Sequence, residues 1–190
     1  MKSKRERILA AGRELFMKNG IQSTSMEQIA ETVPVSKMTI YKYFQSKEGL
    51  LEQVVQQFAE DIYAKFRSTI DNAKDPLDAL EKLTAFWEQD EISEVFMKDL
   101  ADYPALVQKL MSYTQERFVP EAERLIFQGQ QLGMLRKDIS PHVLLVFMIG
   151  LKQYFMQPQV LQTLSELRST SEQIYSIVYH GIIAPDYKKQ

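Results

Sequence analysis

The chain has no cysteine in its 190 residues. That excludes a disulfide framework, a thiolate metal site and a cysteine nucleophile. Its two histidines, His142 and His180, stand far apart, so no zinc or iron centre is expected. There is no P-loop, no dinucleotide fingerprint and no nucleophile elbow. No apolar run approaches the length of a membrane span, and the N-terminus lacks a signal-peptide h-region. A cytoplasmic chain without a membrane partner is therefore expected. Strand-like alternation, internal repeats and low-complexity segments are also missing. Carboxylate pairs such as Asp99 with Asp102, or Glu121 with Glu123, fall on helical stretches among charged neighbours and read as solvated surface. His180, near an apolar helix, reads as a packing or interface residue. These absences leave no enzyme, no cofactor and no metal to expect.

What the chain has is helical periodicity and an ordinary core, with 45% apolar residues. Its net charge of −2 is unevenly spread. Residues 1–50 carry nine Lys or Arg against five Asp or Glu, a net of +4, and the remainder carries 14 against 20, a net of −6. A basic head on an acidic body suits a protein that touches nucleic acid at one end. The stretch T-S-M-E-Q-I-A-E-T-V-P-V-S-K-M-T-I-Y-K-Y-F-Q-S-K, residues 24–47, reads as two short helices and a tight turn. Met26, Ile29, Ala30 and Val33 repeat at i, i+3, i+4 and i+7. Two overlapping capping boxes precede them, Thr24 with Glu27 and Ser25 with Gln28, and the pattern does not choose between them. Pro34 stops the first helix. Ser36 caps the second, with Val35 and Ile40 as a hydrophobic staple. That second helix turns Ile40 and Phe44 to one side. Met38, Thr39, Tyr41 and Lys42 face broadly the other way, a set able to bond phosphates and base edges in a major groove.

This segment resembles the helix-turn-helix of the TetR family of bacterial transcriptional regulators. Thr24 and Ser25, Ile29 and Ala30, Val35 and Ser36, Tyr41 and Phe44, and Lys47 fall at the family's spacing, and the likeness covers about the first 60 residues. One position departs: Pro34 stands where the family usually has glycine. Proline cannot take the positive φ that glycine permits, so a turn of different geometry is expected. The resemblance implies an all-α fold, with a three-helix helix-turn-helix head over residues 1–46 and a larger ligand-binding and dimerisation domain over 47–190. It implies a dimeric DNA-binding regulator, most simply a repressor released by a small hydrophobic ligand. The alternative is a DNA-anchored protein-interaction module with no ligand. Lys37, Met38 and Lys42 are candidates for reading bases. Lysine can donate to guanine O6 and N7, and Met38 can pack on a thymine methyl. Thr24, Ser25, Ser36, Thr39, Tyr41, Tyr43 and Lys47 are candidates for phosphate contact in a double-stranded operator. A cation at the start of a helix is disfavoured by the dipole, which suggests that Lys47 has a use there: with the free N–H groups of that turn it can hold a phosphate.

Elsewhere the spacing predicts helices over 3–19, with a frayed basic lead-in, and from about 47 through Phe66. Further helices are predicted from Pro76 to about 89, near 92–101, and from Tyr103-Pro104 to a stop at Gly133. Pro120 either kinks that last helix or starts a new one. Ser140-Pro141 opens a helix apolar nearly all round, and a final one covers about 171–182. These two are too apolar for a monomer surface and imply a homodimer through residues 140–156 and 171–183. Trp87, Phe96, Tyr103, Met111, Tyr113, Phe118 and Phe147 are candidates to line an effector pocket between helices.

Overall fold

A computed structural model of the chain describes residues 3–89, 93–155, 180–184 and 186, without the side chains of 84–89, 152, 153 and 155. The described residues form eight helices: α1 Lys4–Asn19, α2 Met26–Thr32, α3 Lys37–Phe44, α4 Lys47–Asp71, α5 Pro76–Gln89, α6 Glu94–Leu100, α7 Pro104–Gln131 and α8 Pro141–Phe155. No strand occurs among them, and one isolated antiparallel bridge joins Leu135 to Ile183. The predicted helix over 171–182 lies almost wholly outside the described residues.

Most helix ends fall where the chain supplies a cap. From Ser3 onward the predicted lead-in is a capped helix, not a frayed one. Ser3 Oγ accepts from the Glu6 N–H and the Glu6 carboxylate accepts from the Ser3 N–H, a reciprocal box that satisfies two orphan donors. Asp75 caps α5 through the N–H groups of Leu77 and Asp78, and Ser140 caps α8 through Val143. α7 runs unbroken through Pro120. It ends in a Schellman closure at Gly133, φ 71. There the Met134 N–H reaches Gly129 O at 2.9 Å and the Gly133 N–H reaches Gln130 O at 3.0 Å.

The turn after α2 overturns the expectation for Pro34. It is a closure of the same kind, with the Val35 N–H donating to Ala30 O at 3.1 Å. Pro34 occupies the C′ place at φ 23, far from the window near −65° that its ring prefers. The surroundings impose this. Val33 and Val35 are held in the core beside Ile29, Ala30 and Ile40, so the chain must reverse in one residue.

By its internal contacts the chain divides into two compact units, Met1–Ser68 with Ala85–Phe118, and Thr69–Thr84 with Val119–Gln190. This division differs from the sequence boundary at 46/47. The first unit holds α1–α3, most of α4, α6 and the first half of α7. Its core joins Ile8, Phe16, Ile21, Ile29, Ile40, Phe44, Leu50, Leu51 and Val54 to Phe96 and Leu100 from α6. Leu50 packs directly on Gly12, where an added Cβ would lie 3.0 Å from Leu50 Cδ2. Asp99 and Asp102 are not idle surface. Asp99 accepts from the Gln22 N–H at 2.9 Å and Asp102 from Gln22 Nε2 at 2.6 Å. Gly20 sits under this contact at φ 87, and a Cβ there would come within 2.7 Å of both Asp99 Oδ2 and Val95 Cγ1.

In the second unit Gln130 is buried, and its Nε2 donates to the carbonyls of Arg136 and Ile139. α8 buries Leu144 and Leu145 but leaves Val143, Val146, Phe147, Ile149 and Tyr154 exposed. The helix that reads as too apolar for a monomer surface thus keeps an exposed apolar face.

Candidate nucleic-acid interface

The two short helices are built from the inside out. Of the two possible capping boxes, Ser25 with Gln28 forms: Ser25 Oγ accepts from the Gln28 N–H, and Gln28 Oε1 accepts from the Ser25 N–H at 2.7 Å. Thr24 is excluded from the surface. It is buried, and its hydroxyl donates to Gly20 O at 2.8 Å, closing the α1–α2 corner. Its assignment to phosphate contact is corrected on that ground. Ser36 caps α3 as expected, accepting from the Thr39 N–H at 3.2 Å, and its hydroxyl lies 2.8 Å from Thr39 Oγ1. The staple forms, with Val35 packed against the core that contains Ile40.

Ile40 and Phe44 anchor α3 inward. Tyr41 also packs against that core and is only partly exposed, as is Thr39. Ser36, Lys37, Met38, Lys42 and Tyr43 are exposed, Met38 at 77%. Met38 thus offers an apolar side chain on the outward face, able to pack on a thymine methyl. Lys42 has no ion-pair partner among the described residues. Lys37 does have one: its Nζ pairs with the Glu27 carboxylate on α2 and lies over the Tyr41 ring, 5.8 Å from the centroid. That hydrogen bond holds Glu27 below the ordinary carboxylate range and Lys37 above the ordinary lysine range, so both are charged at neutral pH.

Lys47 opens α4 and is partly exposed, with Nζ 3.5 Å from Gln22 O. Ser46 Oγ accepts from the Gly49 N–H at 3.0 Å. A Cβ at Gly49 would lie 2.2 Å from Phe44 O, so only glycine lets α4 start this close to the end of α3. α3 itself ends at Gln45, φ 64, whose N–H reaches Tyr41 O at 2.8 Å. Sequence reasoning missed Glu27, Gln22, Arg5, Asp99 and Asp102. Arg5 Nη2 donates to Gln53 Oε1 and its guanidinium lies 5.4 Å from the Phe44 ring centroid, bracing α3 from behind. No local spacing rule links these partners, which are many residues apart.

The candidate pocket residues separate. Phe96 is fully buried in the core of the first unit, and Tyr103 packs against the same core. Both therefore contribute to the core of the head. Met111 and Phe147 are exposed. The side chain of Trp87 lies outside the described residues. Tyr113 and Phe118 come together with Tyr63 and Phe66 of α4, ring centroids 5.0–6.4 Å apart, and Arg117 lies over Tyr63 and Tyr113. Burial raises the Tyr113 hydroxyl above its ordinary range, reinforced by Glu60. An open groove of about 360 Å³ lies in the second unit between Pro76, Phe127, Gln128, Gln131 and Leu132, and it contains none of the predicted residues. Among the described residues no cluster of metal-ligating side chains occurs and no helix is long and apolar enough to cross a membrane.

A short capped helix presented by a tight turn from a packed three-helix frame, with cations and hydroxyls outward, defines a helix-turn-helix DNA-binding protein. Residues 8–54 match the model of bacterial regulatory proteins of the tetR family. Over 142 residues, 72% of this chain and 71% of the relative, the sequence is 31% identical to the HTH-type transcriptional regulator UidR of Escherichia coli. It is 25% identical over 154 residues to the HTH-type transcriptional repressor DhaR of a Mycobacterium species, covering 77% of each. The fold is shared with the ketosteroid transcriptional regulator KstR2 of Mycobacterium tuberculosis, at 20% identity, TM-score 0.59 and 96% of each chain. It is also shared with the fatty acid degradation regulator FadR of Bacillus halodurans, at 18% identity, TM-score 0.65, 95% of this chain and 97% of that one. The chain belongs to the TetR family: it is an all-α, dimeric, DNA-binding transcriptional regulator and not an enzyme.

Proposed function

We propose that this protein is a repressor whose two subunits each lay α3 in a major groove of a pseudo-palindromic operator, and that a small, largely hydrophobic ligand releases it. The outward face of α3 carries the reading: Met38 and Lys42 stand free for base edges, with Lys37 available once it leaves Glu27. Ser36, Thr39, Tyr41, Tyr43 and Ser25 flank them for phosphate contact. Lys47 and the first turn of α4 serve one further phosphate. The DNA-contacting head is residues 1–46, and the ligand and dimer functions belong to 47–190.

The second subunit docks on α8. Val143, Val146, Phe147, Gly150 and Tyr154 follow the i, i+3, i+4, i+7, i+11 spacing of one helix face, and all are exposed. An apolar stripe of that kind supports burial against its own symmetry mate. Residues 171–179 of the second predicted interface segment lie outside the described residues. For the ligand, the rings of Tyr63, Phe66, Tyr113 and Phe118 are the best-supported contact. They join α4, the helix that begins at the DNA face, to α7. A ligand that separates these helices favours one spacing of the two heads over another, and so shifts the population that fits the operator.

The decisive experiment is binding to DNA from upstream of the protein's own gene, against a scrambled duplex, over a range of salt. Preferential binding that survives competitor supports the reading and provides the assay for an effector screen. A protein that binds neither duplex in low salt refutes it.

A further inference from the structure

α3 begins with a cation, Lys37, at the positive end of its own dipole, and its first turn contains no acidic residue. The balancing charge comes from another helix. Glu27, near the start of α2, carries the carboxylate that pairs with Lys37, with the two side chains 56% and 45% exposed. Since the first residues of a recognition helix meet the base edges, this pair stands at the DNA surface. Glu27 is oddly placed for affinity alone. It is an anion bonded to the first residue of α3, and in the groove it meets the field of the phosphates.

The position makes sense as a control on unspecific binding. Sequence-independent affinity comes from counterion release and grows with each phosphate that a cation neutralises. A lysine already neutralised by a carboxylate contributes nothing to it. We propose that Glu27 is a specificity-determining residue, which holds Lys37 back from the phosphates of non-operator DNA. This rests on the DNA-binding reading above. On a random duplex the pair stays closed, and its net charge of zero adds no affinity. On the operator, Lys37 leaves Glu27 for a guanine edge, and a cytosine or adenine amino group can donate to the carboxylate in its place. The pair thus raises the ratio of specific to unspecific binding by lowering the second.

The test uses the full-length protein and a short labelled duplex of random sequence, titrated by fluorescence anisotropy across salt. Glu27→Gln removes the charge while keeping the size and the helix. Its affinity for the random duplex is expected to rise by about five- to tenfold near physiological salt, with the salt slope steeper by about 1, one additional phosphate contact. The double variant, Glu27→Gln with Lys37→Gln, is expected to return the slope to that of the wild type. An unchanged slope in the single variant overturns the proposal. So does a double variant that keeps the steeper slope, since the gain then owes nothing to Lys37. A wild-type protein that binds no duplex at all in low salt fails differently and takes the DNA-binding reading with it. Thermal melts of both variants within a few degrees of the wild type establish that folding is not what changes.

Discussion

Replacing Pro34 by glycine is expected to stabilise the protein, against the usual effect of removing a proline. Two terms favour glycine and one opposes it. At φ 23 the residue lies in the region that L-residues avoid and almost 90° from the proline optimum, and a backbone held in so sparse a region costs about 1–3 kcal/mol. Glycine takes positive φ freely. It also restores an N–H at C′, and that N–H can donate to Glu31 O to complete the closure seen intact at Gly133; beside solvent this adds about 0.5 kcal/mol. Against both stands the greater freedom of glycine in the unfolded chain, about 1–2 kcal/mol for the change from proline. The balance is stabilising by about 1 kcal/mol, or a rise of about 2–4 °C in Tm for a chain of this size. Calorimetry on the two proteins reads it directly. Were the turn relaxed, with φ near −65°, only the unfolded-state term would survive and the variant would melt lower. A fall in Tm therefore refutes the strained closure, and the sign alone decides. Slow exchange of the new amide at position 34 would independently confirm its hydrogen bond.

Three further expectations concern other parts of the molecule. Lys42→Ala should weaken operator binding by about 1–3 kcal/mol and relax specificity at one base position if it reads a base, or weaken all sequences alike if it binds phosphate; titration of operator variants distinguishes the two. Phe147→Glu places a charge in the exposed stripe of α8 and should convert the dimer to a monomer in light scattering, with operator affinity falling as the half-sites lose their linkage. Gly20→Ala meets both a positive φ and a Cβ within 2.7 Å of Asp99 and Val95, so it should destabilise by about 1–3 kcal/mol in denaturant unfolding.

The parts of the fold set by local chemistry were legible in the sequence. Ser-Pro at 140, Asp-Pro at 75, the staple around Ser36 and the glycine at 133 each name a helix end, and each end falls there. Half of the outward set on α3 was legible too: Met38 and Lys42 are exposed, because a helix of eight residues anchored by Ile40 and Phe44 has little choice of face, whereas Tyr41 packs against the core and Thr39 is only partly exposed. What failed depended on partners distant in the chain. Thr24 and Ser25 offer the same capping chemistry, and only the packing of Ile21 and Met26 decides which of them faces water. Phe96 looked like a pocket wall because nothing local says that α6 completes another core. Asp99 and Asp102 looked like solvated charges because their partner, Gln22, lies about 80 residues earlier. At Pro34 the rule for proline was sound in isolation, but tertiary constraint overrode it.

The place of α6 changes how the helix-turn-helix should be understood. Three helices of the length of α1, α2 and α3 bury too little surface to be firm alone. Here α4 adds Leu50, Leu51, Val54 and Val55, and α6 adds Phe96 and Leu100, each almost fully excluded from water. The polar contact runs the same way: Ser93 donates to Met17 O, and Asp99 and Asp102 hold Gln22 at the corner from which α2 departs. The frame that aims α3 therefore includes a helix from outside the helix-turn-helix, and α6 is joined to α7 by only a short link. Any displacement of the first half of α7 acts on the α1–α2 corner through buried apolar contacts and charge-assisted hydrogen bonds. It need not pass along α4 alone. Because packed cores shift between discrete arrangements rather than deform continuously, a movement at α7 that repacks α6 is expected to change the aim of the recognition helix. Under the ligand-release mechanism proposed above, this is a second route to α3 beside α4.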